Sequence, residues 1–214
     1  MPNLTPIDTV FSTDSAVNVP EIAQAKKFLT ARAGNTYNLP IPHITYSITP
    51  IPRETFPQAK AAVQGQIKRI KPFQVRFGDL KYQPERKFYS IPIEGEKCRE
   101  LHETFTTLLA RFRTNHVRSK DLDRYKAGKL SPKEIEYLEK YGYFRIFDNF
   151  ASHITIGNVG DTDLTEAEIT RELRLILKPV LNREFTVANI RALFHTDARI
   201  QGNMQVIWEE EFRL

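Results

Sequence analysis

Two short stretches, residues 42–48 (PHITYSI) and 152–158 (SHITIGN), decide how this 214-residue chain is read. Each alternates side chains with the period of a β-strand, in which residues i and i+2 share one face. His43 and Thr45 therefore project together while Ile44 points into a core, and His153, Thr155 and Ile154 repeat the arrangement. Pro40, Pro42, Pro50 and Pro52 bound the first stretch and disfavour helix there. The two tripeptides lie 110 residues apart, one in each half of the chain.

Outward from these strands the two halves share an outline. Before the first lies an apolar stretch, Ile7 to Phe11, that suits a strand, and then a helix after Pro20 with Ile22, Ala25, Phe28 and Leu29 at helical spacing. After it come a helix from about Glu54 to Ile70 and two strand-like runs, FQVRFGDLKYQ and RKFYSIPIE, turned at Pro84-Glu85. A third helix, from about Glu96 to Arg113, sets Leu101, Phe105, Leu108, Leu109 and Phe112 on one face. The second tripeptide is followed by a helix opened by Thr165 with Glu168 three residues on, a capping-box pattern. Two more strand-like runs follow, REFTVANIRALFHT and MQVIWEEEFRL, joined by the turn-forming DARIQGN. Each half thus reads as HIT strand, helix, strand, strand: a repeat of topology and not of close sequence.

Residues from about 114 to 143 differ in composition. They are polar and basic, with a short helix started by Ser131-Pro132 and stopped by Gly142. They read as an insertion between the halves, either a lid or a plain surface excursion. The fold class expected is α+β over residues 1–214. Two pseudo-symmetric antiparallel-sheet lobes carry helices on their outer faces and enclose a central cleft.

Composition sets the outer bounds. Hydrophobic residues at 41% and charged residues at 27% are the balance of a folded chain and exclude a largely disordered one. A mean hydropathy of −0.42 and the lack of a long apolar run predict no membrane span. The opening MPNLTPIDTVFSTDS has neither a basic nor an apolar leader segment, so no secretory signal is expected. Cys98 is the single cysteine and cannot form an internal disulfide, which fits a reducing cytoplasm. A net charge of +5 favours phosphate-bearing partners without demanding nucleic acid, and a monomer is compatible with all of this.

The paired motifs suit phosphoryl chemistry. Opening a phosphodiester needs one proton taken from the attacking oxygen and one given to the leaving oxygen, and two imidazoles titrating near neutrality can do both. Two threonine hydroxyls can donate to the non-bridging oxygens, where charge builds in the transition state. No cofactor is called for, and no metal: neither tripeptide has a carboxylate or cysteine partner at ligand spacing. Of nine glycines none forms a phosphate-cradling GxGxxG or GxxxxGK[ST] loop, which disfavours nucleoside-triphosphate hydrolysis.

Both H-I-T-hydrophobic motifs, and the aromatic-rich YGYFRIFDNFASHITIG leading into the second, resemble the 2H phosphoesterase superfamily. That superfamily includes the bacterial 2′-5′ RNA ligase/cyclic phosphodiesterase group. The resemblance covers most of the chain. It implies that His43 and His153 are catalytic and that Thr45 and Thr155 bind phosphate. It implies metal-independent hydrolysis, with a 2′,3′-cyclic phosphate on a nucleotide or RNA end as the leading substrate. Linear 2′-5′ or cyclic oligonucleotides, RNA 3′ ends and ADP-ribose cyclic phosphate are the alternatives. A non-catalytic RNA- or nucleotide-binding module is a rival of another class. The motif spacing is long for a compact member, and the 114–143 insertion accounts for the excess.

Further residues near the motifs are candidates for substrate binding. Tyr46, Tyr143 and Phe144 are placed to stack on a base, with Phe11 a weaker candidate; Phe150 suits core packing better. Arg86, Lys87 and Tyr89 open the strand before the third helix, and Arg145 lies eight residues before His153; all could meet a phosphate or an RNA backbone. His102 reads as a surface or boundary residue, His116 as part of a solvated loop, and His195 as a residue near a hairpin end that could line the cleft. Cys98, with no Cys-His-Asn set around it, reads as structural.

Overall fold

The computed structural model describes residues 3–36, 41–197 and 205–214. Its first part runs β1 (Thr5–Ile7), β2 (Thr9–Ala16), α1 (Pro20–Arg32), β3 (His43–Pro50), α2 (Phe56–Ile67), β4 (Phe73–Phe77), β5 (Lys81–Gln83), β6 (Phe88–Glu94) and α3 (Glu96–Ala110). The remainder runs β7 (His116–Arg118), α4 (Ser119–Lys126), α5 (Pro132–Tyr141), β8 (His153–Asn158), α6 (Glu166–Leu177), β9 (Glu184–Val187), β10 (Asn189–Thr196) and β11 (Val206–Arg213).

Local chemistry explains the element ends. Thr165 and Glu168 close the capping box that opens α6, and Ser131 and Glu134 close one on α5. Pro132 occupies the first turn of α5, where no amide is missed, and Gly142 ends that helix at φ 78°. The 84–86 segment is a single 3-10 turn between β5 and β6, which form the hairpin expected at Pro84-Glu85.

Nine of the strands form one antiparallel sheet, in the order β11-β10-β2-β3-β8-β6-β4-β9, with β5 paired to β6. At its centre β3 meets β8 with Ile44 opposite Ile154. The two HIT tripeptides are thus antiparallel neighbours, and a pseudo-twofold axis passes between the two isoleucines. The fold is α+β with two sheet lobes joined at this seam. The helices lie on the isoleucine face: Ile22 and Leu29 of α1, Val63 of α2, Phe105 of α3 and Leu173 of α6 share one core with Ile44 and Ile154. Each such side chain withdrawn from water contributes about 1.5–3 kcal/mol. Among the described residues the histidine face, turned the other way, carries no helix of this core.

The repeat is longer than the sequence suggested. Each half runs strand, helix, HIT strand, helix, strand: β2-α1-β3-α2-β4 and β6-α3-β8-α6-β9, with β7, α4 and α5 between α3 and β8. The first helices trade sides. Helix α1 packs on β8 and α6, while α3 packs on β3 and α2, so each half supports the other's motif strand. The run REFTVANIRALFHT is two strands and not one. It divides at Ala188, with β9 joining β4 and β10 joining β2 and β11. Period-two alternation is the same whichever partner a strand takes, so it could not reveal the change. Residues 198–203 of the DARIQGN turn, and Met204 after it, lie outside the described residues.

The 114–143 segment builds a small core of its own from Val117, Leu122 and Leu138, completed by Phe144. It is anchored by β7, which pairs in parallel with β1, and by Arg113, whose guanidinium donates to the carbonyls of His116, Glu139 and Lys140. A Cβ on Gly142 would stand 2.7 Å from Pro50 Cγ and 2.9 Å from Arg113 Cδ, so the glycine lets the segment close onto the end of β3.

Candidate active site

Extending the Ile44–Ile154 register by one residue each way sets His43 opposite Thr155 and His153 opposite Thr45, all on the face away from the core. Directly opposed residues in such a pair have Cβ atoms about 4.5–5.5 Å apart. The two rings are held alike. His43 Nδ1 contacts the Ile41 carbonyl at 2.9 Å, and His153 Nδ1 contacts the Ala151 carbonyl at 2.8 Å. A carbonyl only accepts, so Nδ1 carries the hydrogen in both and Nε2 is left for proton exchange. Thr45 and Thr155 are half-buried, and among the described residues neither hydroxyl has a hydrogen-bond partner.

Each motif strand also carries a bulge in the same place. The register passes from Asp14–Thr45 to Thr13–Ser47, skipping Tyr46, and from Ser90–Thr155 to Tyr89–Gly157, skipping Ile156. Both skipped residues lie three after the histidine. A bulge bends its strand and re-aims the neighbouring side chains, here the two threonines.

The surroundings of the two rings differ. His153 keeps contact with solvent, yet protein crowds it, and that desolvation holds its imidazolium below the ordinary histidine range. The Ala151 carbonyl works against this, while the charges of Arg86, His43 and Arg145 add to it. Arg86 and Arg145, both candidates from the sequence, therefore sit within electrostatic reach of His153. Arg86 is exposed in the 84–86 turn and Arg145 is half-buried against the Phe144 ring.

The rows flanking the four motif residues hold groups the sequence reading missed. On β2, Asp14 stands opposite Thr45 and Ala16 opposite His43; on β6, Ser90 stands opposite Thr155 and Pro92 opposite His153. Arg191, next out on β10, grips Asp14 through Nε at 2.8 Å and Nη2 at 3.1 Å, with both side chains buried. On the other flank Lys81 of β5 stands opposite Ser90 and is exposed. A lone aspartate in the otherwise uncharged run TVFSTDSA was the available signal for Asp14; nothing local marked Lys81 or Arg191.

Several candidates belong elsewhere. Tyr46 is fully buried on the core side, its hydroxyl donating to Ser15 Oγ at 2.9 Å, and burial drives its phenol far above the ordinary range. Tyr89 is also fully buried, against Tyr82 and bonded to Thr170 Oγ1 at 2.7 Å. Both follow from strand parity, since Tyr46 shares the face of Ile44. Phe144 is buried in the small core of the 114–143 segment, with Tyr143 packed beside it under the Arg118 guanidinium. Neither of those buried tyrosines nor Phe144 offers a stacking face. Phe11 is core. Lys87 is exposed beside Arg86, with its carbonyl accepting from Val159 at 2.7 Å.

The other histidines have defined partners. His102 is not a surface residue: it is 2% exposed and stacks on Phe150 at 3.8 Å. His116 is half-buried and bonded to Thr114. His195 meets Ser12 Oγ through Nε2 at 2.9 Å on the histidine side of the sheet, and burial lowers its pKa. The Cys98 thiol is buried and pushed up to about 11 by that burial, which suits packing and not nucleophilic attack. Among the described residues no cluster of three or more histidine, cysteine, aspartate or glutamate side chains is arranged to hold a metal ion. No helix among them is long and apolar enough to cross a membrane.

Solved structures share this fold. E. coli LigT complexed with phosphate superposes with a TM-score of 0.55 at 13% identity, covering 98% of each chain. The same protein complexed with 3′-AMP gives 0.53 at 13% identity, covering 98% of this chain and 99% of that one. TT0787 of Thermus thermophilus gives 0.55 at 14% identity, covering 97% of this chain and 98% of its own. No curated protein matches in sequence. The α+β fold described above is thus the one found in LigT and TT0787. The chain belongs to the family described as "Protein of unknown function (DUF1045)", whose match spans residues 51–201.

Proposed function

We propose that this protein is a phosphodiesterase that hydrolyses a 2′,3′-cyclic phosphate, on a nucleotide or an RNA end, with two histidines and no metal. The observation that carries the reading is the symmetric seam. Two imidazoles with the same Nδ1–H contact stand diagonally across a four-residue square whose other corners are threonine hydroxyls. In the reaction His153 Nε2 takes a proton from water, and the water oxygen attacks phosphorus. One P–O(ribose) bond breaks, and His43, entering the step as the imidazolium with both nitrogens protonated, gives its Nε2 proton to the leaving oxygen. Thr45 and Thr155 donate to the non-bridging oxygens as charge develops there. The lowering of His153 supports its role as the base, because it is then unprotonated at neutral pH. Binding of phosphate and of 3′-AMP by LigT supports a nucleotide phosphate as the ligand class. Arg86 and Arg145 would meet the rest of an anionic substrate.

The test is turnover of 2′,3′-cyclic nucleotides in excess EDTA, with products resolved as 2′- or 3′-monophosphates. His43→Ala and His153→Ala should each lower kcat by at least about 10²-fold and leave the fold intact. Turnover that survives either substitution rejects the mechanism. Wild-type inactivity on this panel and on the 2′-5′-linked and cyclic oligonucleotides rejects the substrate class.

A further inference from the structure

His102 lies on α3, away from the histidine face, and still touches both halves of the site. Its Nδ1 contacts the Tyr46 carbonyl at 2.6 Å, so Nδ1 carries the hydrogen. Its Nε2 is 2.8 Å from the Phe147 amide, which donates to it. The ring therefore has one donor and one acceptor, each matched. Phe150 stacks parallel to the ring at 4° and Phe147 meets it edge-on at 5.9 Å. Only the neutral imidazole fits, because protonation would turn Nε2 into a second donor facing a donor.

The two partners are informative. Tyr46 is the bulged residue directly after Thr45. Phe147 opens the turn 147–149, and two residues beyond that turn stands Ala151, whose carbonyl holds His153 Nδ1. One buried ring thus links the bulge that aims Thr45 to the segment that aims His153. Thr45 and His153 are opposed across the seam, yet β3 and β8 share a single bridge pair there, so little sheet pairing fixes their relative placement.

We propose that His102 is a positioning residue that sets Thr45 and His153 relative to each other by bridging the β3 bulge to the segment entering β8. It acts through backbone and touches no reacting atom. Its kinetic consequence rests on the two-histidine reading above; its structural consequence does not.

The test uses three variants of the full chain. His102→Phe keeps the stacking and removes both hydrogen bonds. His102→Asn retains a donor near the Nδ1 position, and His102→Gln an acceptor near the Nε2 position. Circular dichroism confirms folding, and 15N–1H spectra follow the His43 and His153 rings. In His102→Phe the His153 ring signals should shift or broaden. The kcat on 2′,3′-cyclic nucleotide should fall about ten- to a hundredfold, with KM changed less than about threefold. Asn and Gln should each recover part of the loss. A folded His102→Phe with wild-type His153 signals and kcat overturns the proposal. If that variant does not fold, unchanged ring signals and kcat in both Asn and Gln overturn it equally. If the wild type turns over nothing, the function proposed above falls, and the ring spectra alone decide the role of His102.

Discussion

The neutral state of His102 has a stability consequence that can be worked out. Burial among Phe147, Phe150 and the Tyr46 backbone lowers its pKa to about 4, against the Tyr46 carbonyl, which favours the protonated form; the Arg99 charge lowers it further. In the unfolded chain a histidine titrates near 6.5. Above that pH both states are neutral and His102 adds no pH dependence. As pH falls through 6.5 the unfolded chain takes up a proton that the folded chain refuses, so stability drops, and the drop levels off below the folded value. A gap of about 2.5 pH units corresponds to about 3 kcal/mol lost between pH 7.5 and 4. His153 and His195 are shifted in the same direction and Asp121 is raised, so the wild-type profile mixes several groups. All of them persist in His102→Phe, and the difference between the two proteins isolates His102. Urea unfolding followed by circular dichroism at pH 7.5, 6, 5 and 4 is the assay. At pH 7.5 the variant should be less stable by about 1–3 kcal/mol, because the Phe147 amide and Tyr46 carbonyl are left buried without a partner. Toward pH 4 that deficit should shrink by about 3 kcal/mol and can change sign. Parallel profiles would refute the reasoning, since they mean that the folded protein accepts the proton on His102 freely.

Other outcomes follow from the same geometry. Thr45→Val and Thr155→Val should each reduce kcat by about 10²-fold without altering the unfolding midpoint by much, as checked by steady-state kinetics beside a urea melt. The acid limb of kcat/KM should lie below the ordinary histidine range because His153 is lowered. Removing a nearby cation in Arg86→Ala or Arg145→Ala should raise the His153 pKa and move that limb to higher pH. Asp14→Asn should cost about 3 kcal/mol in urea unfolding, because it leaves the buried Arg191 guanidinium only its longer, 3.3 Å contact with the more exposed Glu209. Gly142→Ala should cost about 2–4 kcal/mol by the same measurement, from the positive φ and the clash with Pro50.

Much of this protein is written in local pattern. Period-two alternation around His43 and His153 declared two strands, and the shared i, i+2 face put a histidine and a threonine together on each. The Ser131-Pro132 start, the capping box at Thr165 and the glycine at 142 marked helix ends, because caps are contacts between near neighbours in the chain. The α+β class and the paired motifs follow from such signals. Aromatic candidates were less legible. Closeness in sequence put Tyr46 and Phe144 near the motifs, and Tyr89 was drawn in by Arg86 and Lys87, but the face each one takes depends on parity and on what packs behind it.

The rest was decided by tertiary structure. That the two tripeptides meet at Ile44 and Ile154 is a pairing across 110 residues, and nothing in either strand names its partner. The division of residues 183–196 between two parts of the sheet, the Asp14–Arg191 pair beside Thr45, and the grip of His102 on both halves of the site are also long-range. Sequence periodicity reports which side of a strand or helix seeks burial. It carries no record of which other surface supplies that burial, because the hydrophobic effect is non-directional and hydrogen-bond partners are chosen only once the chain has closed on itself.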